Sequence, residues 1–256
     1  MTQPMKPRVV LVAHESEGSA TILQTILQSD SMTVIAVFIT QGLYYKKTAI
    51  QSIFKLLREA SFLFCFNRFC DLVWYKLRGG DTLKKTCQRS GLRYFQTRDI
   101  NAPKSVVNMK SLCPDYVLTA FTMHIVGDQI IKTPNKAAIG VHPSLIPEYR
   151  GLEPFFWMMA NGESNSGSSA FLLNREIDRG TVICRDSWKI EHHDTVGTVY
   201  RRLTHSCGEL LVKAVAQFEA VGELGLMPID SRSGSYFRMP TRACYKKFRR
   251  AGRKWR

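Results

Sequence analysis

Gly140-Val141-His142-Pro143-Ser144-Leu145-Ile146-Pro147-Glu148-Tyr149-Arg150, closed by Gly151, is the stretch around which this 256-residue chain is organised. Ala137–Val141 just before it is apolar and strand-like, so His142 leaves a strand end and enters a loop stiffened by two prolines. A later turn, Asn174-Arg175-Glu176-Ile177-Asp178-Arg179-Gly180, carries the carboxylate of Asp178, 36 residues beyond His142. An imidazole titrates near neutrality, and a carboxylate can orient it and accept a proton. The two residues are therefore a candidate acid/base pair.

Outward from that loop, the first half alternates strands and helices. Arg8–Ala13 and the β-branched run Thr33–Ile39 read as buried strands, separated by a helix from Ser19 to Ser29 with Ser19 as its N-cap. A short strand at Leu92–Phe95, a helix over 103–112 and strands at Tyr116–Ala120 and Ala137–Val141 follow. Strands joined by helices predict an α/β fold with a mostly parallel sheet and crossover helices. Ligands of such sheets bind beyond the carboxyl ends of the strands, where His142 stands. After residue 165 the pattern changes. Ser168–Leu173 and Thr181–Ile190 pair across the 174–180 turn, and Asp194 caps a long helix over Thr195–Val221.

The segment 42–80 is apolar but broken by Lys55, Arg58, Arg68 and Lys76, which predicts one or two amphipathic helices. Packing on the sheet or on a partner subunit is the first reading. A lid over the site and an interfacial membrane helix are the alternatives. The chain divides as a catalytic unit over 1–229 containing that insertion, then a linker and basic tail over 230–256.

Length allows one large domain with a sizeable core. The seven cysteines are scattered, odd in number and without a Cys-x-x-Cys pair. This pattern argues against a zinc cage or disulfide framework and for a reducing, cytoplasmic setting. The opening seven residues lack the apolar core of a leader, and no apolar run is long enough to span a bilayer. Net charge is +15, with eight basic and no acidic residues from Arg242 to Arg256. That tail suits an anionic partner, or else is a solvated, frayed end that aids solubility; nucleic acid is the weaker partner.

The His-Pro-Ser-Leu-Ile-Pro loop with Tyr149-Arg150-Gly151, and its spacing to Ile177-Asp178-Arg179-Gly180, resembles the folate-dependent formyltransferases over roughly residues 8–40 and 90–220. The resemblance implies a Rossmann-like catalytic domain that moves a formyl group from N10-formyltetrahydrofolate to a primary amine, without a metal. It assigns catalysis to His142 and Asp178. It lines the donor pocket with Phe121, Thr122, Met123, His124, Ile125, Gly140, Asn174 and Ile177, and the acceptor side with His14, Gly18, Ser19, Pro143 and Ser144. An amino sugar nucleotide or an amino-acid-derived metabolite is the leading acceptor, and a homo-oligomer is compatible. No room is left after residue 221 for the further β-barrel of a full methionyl-tRNA formyltransferase, so that activity is not expected.

One position departs from the pattern. The family carries Asn two residues before the histidine, where this chain has Gly140. Loss of one oxyanion donor costs a factor of roughly 10² to 10³ in rate. Asn174, Thr122, His124 or the backbone can stand in. The vacancy can admit a bulkier substrate group, the chemistry can differ, formyl transfer to water included, or the domain can bind without transferring. Elsewhere the bland reading leads: His192-His193-Asp194 is a solvated helix start rather than a metal cluster, His205 packs on its helix, and Phe155 to Met159 are helix core.

Overall fold

The computed structural model describes residues 5–42, 49–174, 178, 180–222, 226 and 233–256. Its central sheet begins with β1 (Arg8–His14), α1 (Glu17–Ser29) and β2 (Thr33–Thr40). Two helices follow, α2 (Ala49–Glu59) and α3 (Phe62–Leu77), then α4 (Leu83–Arg89), β3 (Tyr94–Thr97), α5 (Pro103–Ser111), β4 (Tyr116–Ala120), α6 (Asp128–Ile131) and β5 (Ala137–His142). The site loop holds the two-residue β6 (Arg150–Gly151) and leads to α7 (Pro154–Asn161). The hairpin β7 (Asn165–Leu172) and β8 (Val182–Lys189), the long α8 (Val196–Val221), β9 (Tyr236–Phe237) and α9 (Arg242–Arg250) complete the chain.

Seven strands form one sheet in the order β3-β2-β1-β4-β5-β7-β8. The first five run parallel, and β7 and β8 add antiparallel on the β5 side. Side chains alternate between faces along a strand, and the core divides accordingly. Val9, Leu11 and Ala13 join Leu118 and Ile139 beneath α1, α4 and α8. Val10, Val12, Val117 and Ala138 meet Ile100, Val106, Met109 and Ile130 on the α5–α6 side. Parallel strands covered on both faces need near-continuous apolar sequence, which is why these strands are easy to read.

Several local features differ from the sequence reading. The N-cap of α1 is Ser16, whose hydroxyl accepts from the Ser19 N–H, so the helix starts two residues early and buries Ser19. Thr195, not Asp194, caps α8: Thr195 and Thr198 bond reciprocally, and Asp194 supports them through the Thr198 hydroxyl. Helices α4 and α6, of seven and four residues, are too short to show a periodicity.

The largest difference lies at the C-terminal end. Residues 233–256 are folded, and the basic segment is no frayed end. β9 pairs parallel with β6 inside the His142 loop, and Ser235 bonds Tyr149 and Glu148. α9 buries Cys244, Tyr245 and Phe248 in a second core with Phe64, Phe155, Phe156, Met159 and Trp255. Gly151, at φ 96°, brings its Cα against the Phe237 carbonyl, a conformation and an approach that admit no Cβ. Phe156 sits fully buried between Phe64, Tyr245, Phe248 and Trp255. Phe156→Ala is expected to lower unfolding free energy by about 3–5 kcal/mol, read as a reduced urea midpoint.

Candidate functional site

β5 delivers His142 to the carboxyl edge of the sheet, buried. Its Nε2 lies 2.9 Å from the Tyr149 carbonyl oxygen, an acceptor only, so Nε2 carries the hydrogen. In the neutral ring the lone pair is then on Nδ1, which faces Asp178 Oδ2 at 3.5 Å. Asp178, in a left-handed conformation at φ 50°, also accepts from the Gly151 N–H at 3.2 Å. The structure thus brings His142 and Asp178 together from two loops. A proton arriving at Nδ1 places an imidazolium directly beside that carboxylate.

The loop between them is held by its own polar groups. Ser144 is buried; its hydroxyl donates to the Glu148 carbonyl, and its carbonyl accepts from Ser169. Ser169 accepts in turn from Ile146 N–H, Arg185 donates to the Ile146 carbonyl, and Arg150 donates to Pro147 O. Pro143 is buried with it. Both were expected on the acceptor side; the Ser144 hydroxyl and carbonyl are engaged within the loop and its neighbouring strand. Gly18 and Ser19 are likewise enclosed. A Cβ on Gly18 would come within 2.7 Å of Phe121 and Tyr200, and the first turn of α1 already carries its own cap and the Glu17 carboxylate.

The donor-side loop is braced from below. Thr122 Oγ1 accepts from the His124 N–H, Asn101 donates to the Ile125 carbonyl and accepts from Gly127, and the buried His124 ring accepts from Ile100 N–H. His124 Nδ1 thus braces the loop from below. Phe121 and Met123 are partly buried, and Ile125 is 59% exposed at the loop tip. Asn174 is exposed, and Ile177 lies outside the described residues.

Gly140 is the point where the sequence expectation of a vacancy fails. Side chains on a strand repeat every two residues, so Gly140 and His142 share a face. A Cβ at 140 would meet Leu173 Cδ2 at 2.8 Å and Phe171 Cζ at 2.9 Å. Two apolar side chains fill the position, so a side chain or substrate group there must first displace Leu173 and Phe171.

Sequence reasoning missed a charged cluster on the other flank. Arg68 of α3 lies 3.9 Å from Glu153 and from Asp71, and its guanidinium sits over the rings of Tyr200 and Phe155 at 5.0 and 5.4 Å. Burial pushes the Glu153 carboxyl up and Arg68 pulls it down; burial also raises Glu17. A basic residue inside an apolar helix was the available signal.

The formyl transferase family model matches residues 8–215. The chain belongs to that family. Methionyl-tRNA formyltransferase of Clostridium tetani is 31% identical over 134 residues, which is 52% of this chain and 43% of that protein. The chain thus spans under half of that relative. The fold matches glycinamide ribonucleotide transformylase 1 from Symbiobacterium toebii (TM-score 0.60, 15% identity, covering 93% of this chain and 96% of that one). It also matches a sugar N-formyltransferase from Shewanella sp. FDAARGOS_354 (TM-score 0.58, 17% identity, covering 95% and 87%).

Two measurements follow from this geometry. Gly140→Asn must displace Leu173 and Phe171, at about 1–3 kcal/mol; adding Leu173→Ala should recover part of that loss in a double-mutant cycle. His14 is held below its ordinary pKa of 6.5 by burial and by His124, with a Thr40 backbone bond opposing. His124 is lowered by burial, against Asp99 and Gln41. Below pH 6.5 the unfolded chain binds protons that the folded rings refuse, so stability falls with pH until the folded-state values are reached. Melting temperature scanned over roughly pH 5–8 should drop on the acid side, less steeply in His14→Gln.

Proposed function

We propose that the chain is an N-formyltransferase using N10-formyltetrahydrofolate as donor and a primary amine as acceptor. The single observation that carries this reading is the meeting of His142 and Asp178 at the end of β5, at 3.5 Å. Family membership supports the reaction class, and the resemblance puts the donor against the loop Phe121–Ile125. The side-chain amide expected of the donor site is lacking.

When bound, the folate supplies an electrophilic formyl carbon; the chain supplies proton handling and charge. Tyr149 O keeps the hydrogen on Nε2, so Nδ1 is the working nitrogen. Nδ1 takes the proton surrendered by the acceptor ammonium, directly or through water, and Asp178 Oδ2 stabilises the resulting imidazolium. The freed amine adds to the formyl carbon while the imidazolium Nδ1–H faces the negative charge developing on the carbonyl oxygen. That proton then passes to the folate nitrogen as its bond to the formyl carbon breaks, and the new amide nitrogen loses its second proton to solvent. With position 140 filled by apolar groups, this one donor does work that two would share, and a slow turnover is expected. Free cysteines at all seven positions support a reducing, cytoplasmic setting. An amino sugar nucleotide or an amino-acid-derived amine is the acceptor class to test first.

A second reading, binding without transfer, is favoured by the plugging of position 140 by Phe171 and Leu173. A panel of amines incubated with the formyl donor and analysed by mass spectrometry separates the two. The transferase reading expects a product heavier by one formyl group, with His142→Gln and Asp178→Asn each lowering kcat about 10²- to 10⁴-fold at unchanged melting temperature. Formate release without any formylated amine, or donor binding with no turnover, overturns it.

A further inference from the structure

Helix α3 is amphipathic the wrong way round for a helix on a globular surface. Its inward stripe is Phe64, Arg68, Asp71 and Tyr75, and two of these are charged. Its outward stripe is Phe62, Phe66, Phe69, Val73 and Leu77, flanked by Leu63, Leu72 and Trp74. Phe62 is 70% exposed, Phe69 62% and Leu77 79%. α2 repeats the pattern with exposed Ile50, Phe54 and Leu57. A contiguous apolar face of this kind marks a surface that is covered in use.

The rim shows by what. Arg78 and Arg256 both lie over the Trp74 ring, at 4.3 and 5.9 Å. Arg256 also lines a shallow cleft with Phe69, Cys70, Val73, Trp74 and Leu77. The basic end is fastened there: Asp71 accepts from Trp255 Nε1 at 2.8 Å and from Arg256 at 2.8 Å. α9 leaves Arg242, Lys246, Lys247, Arg249 and Arg250 exposed. Residues 49–80 hold five basic and two acidic side chains, and 242–256 hold eight basic and none acidic, so most of the +15 lies in these two segments.

We propose that α3, with its cationic rim, is a docking face for an anionic lipid bilayer. Aromatic and aliphatic side chains bordered by arginine and lysine match a headgroup boundary, with the apolar stripe entering by roughly 5–10 Å. At 16 residues the helix is about 24 Å long, short of the roughly 30 Å hydrocarbon core, and no described helix is long and apolar enough to cross a membrane. It therefore lies in the interface. A second copy of the chain fits poorly, because it brings the same arginine rim against itself. Nucleic acid uses the cations, and a single strand can stack on the rings, but it leaves the aliphatic Leu63, Leu72, Val73 and Leu77 in water. The inference is independent of formyl transfer.

The test is co-sedimentation of the full chain with vesicles of phosphatidylcholine alone and of equimolar phosphatidylcholine and phosphatidylglycerol. The chain should pellet with the anionic vesicles at least roughly tenfold more than with the neutral ones, and high salt should release it. Phe66→Glu, Phe69→Glu and Leu77→Glu together should abolish pelleting while leaving the melting temperature unchanged, since all three point outward. Tryptophan emission should shift to the blue on vesicle addition, and Trp74→Phe should remove that shift. Pelleting that survives the triple substitution overturns the proposal. So does a soluble chain that dimerises with concentration through this face, or one that binds a single-stranded RNA but neither vesicle.

Discussion

The carbonyl of Tyr149 turned back onto the ring of His142 is the contact on which the site depends. It exists because Tyr149 adopts a left-handed backbone at φ 55°, a conformation costly for a large side chain. The surroundings hold it there. Tyr149 N–H goes to Ser235, its ring stacks on Phe237 with centroids 5.1 Å apart, and its hydroxyl is bonded by Glu163 and Asn161. With Nε2 held in this way, Nδ1 has one direction to face, and Asp178 stands in it.

A consequence is that the C-terminal segment is part of the site rather than an appendage to it. β9 supplies the strand that β6 needs, and Trp255 and Arg256 tie the chain end to α3 through Asp71. The same helix sends Arg68 inward to Glu153 and Tyr200. Its inner face therefore meets Glu153, two residues beyond the Gly151 that bonds Asp178, while its outer face is apolar and rimmed with cations. One helix links a surface to a site.

The parallel strands, the hairpin after residue 165 and the long α8 were legible in the sequence because each follows a strong local rule. Runs such as Val9–Val12 and Tyr116–Ala120 are buried on both faces, and α8 repeats at helical period for 26 residues. The acid/base pair was legible for a different reason: His142 and Asp178 each sit in a distinctive loop. Caps slipped by a residue or more, because Ser16 and Thr195 compete with equally polar neighbours. Gly18, Ser19 and Ser144 are buried, which the sequence does not show, since polarity in sequence carries no record of burial. The emptiness implied by Gly140 was misread because Phe171 and Leu173 arrive from a strand more than thirty residues away.

By itself the sequence determined the strand order along the chain, the helical crossovers and which imidazole and carboxylate are the candidate acid/base pair. These are consequences of local periodicity and side-chain chemistry, which neighbours in sequence suffice to express. Only the tertiary structure decided which nitrogen of His142 is free, what fills position 140, that the basic end folds onto the site loop, and that α3 faces its apolar stripe outward. Each of those depends on which surfaces meet across long sequence separations, and that is settled by the packing of the whole chain.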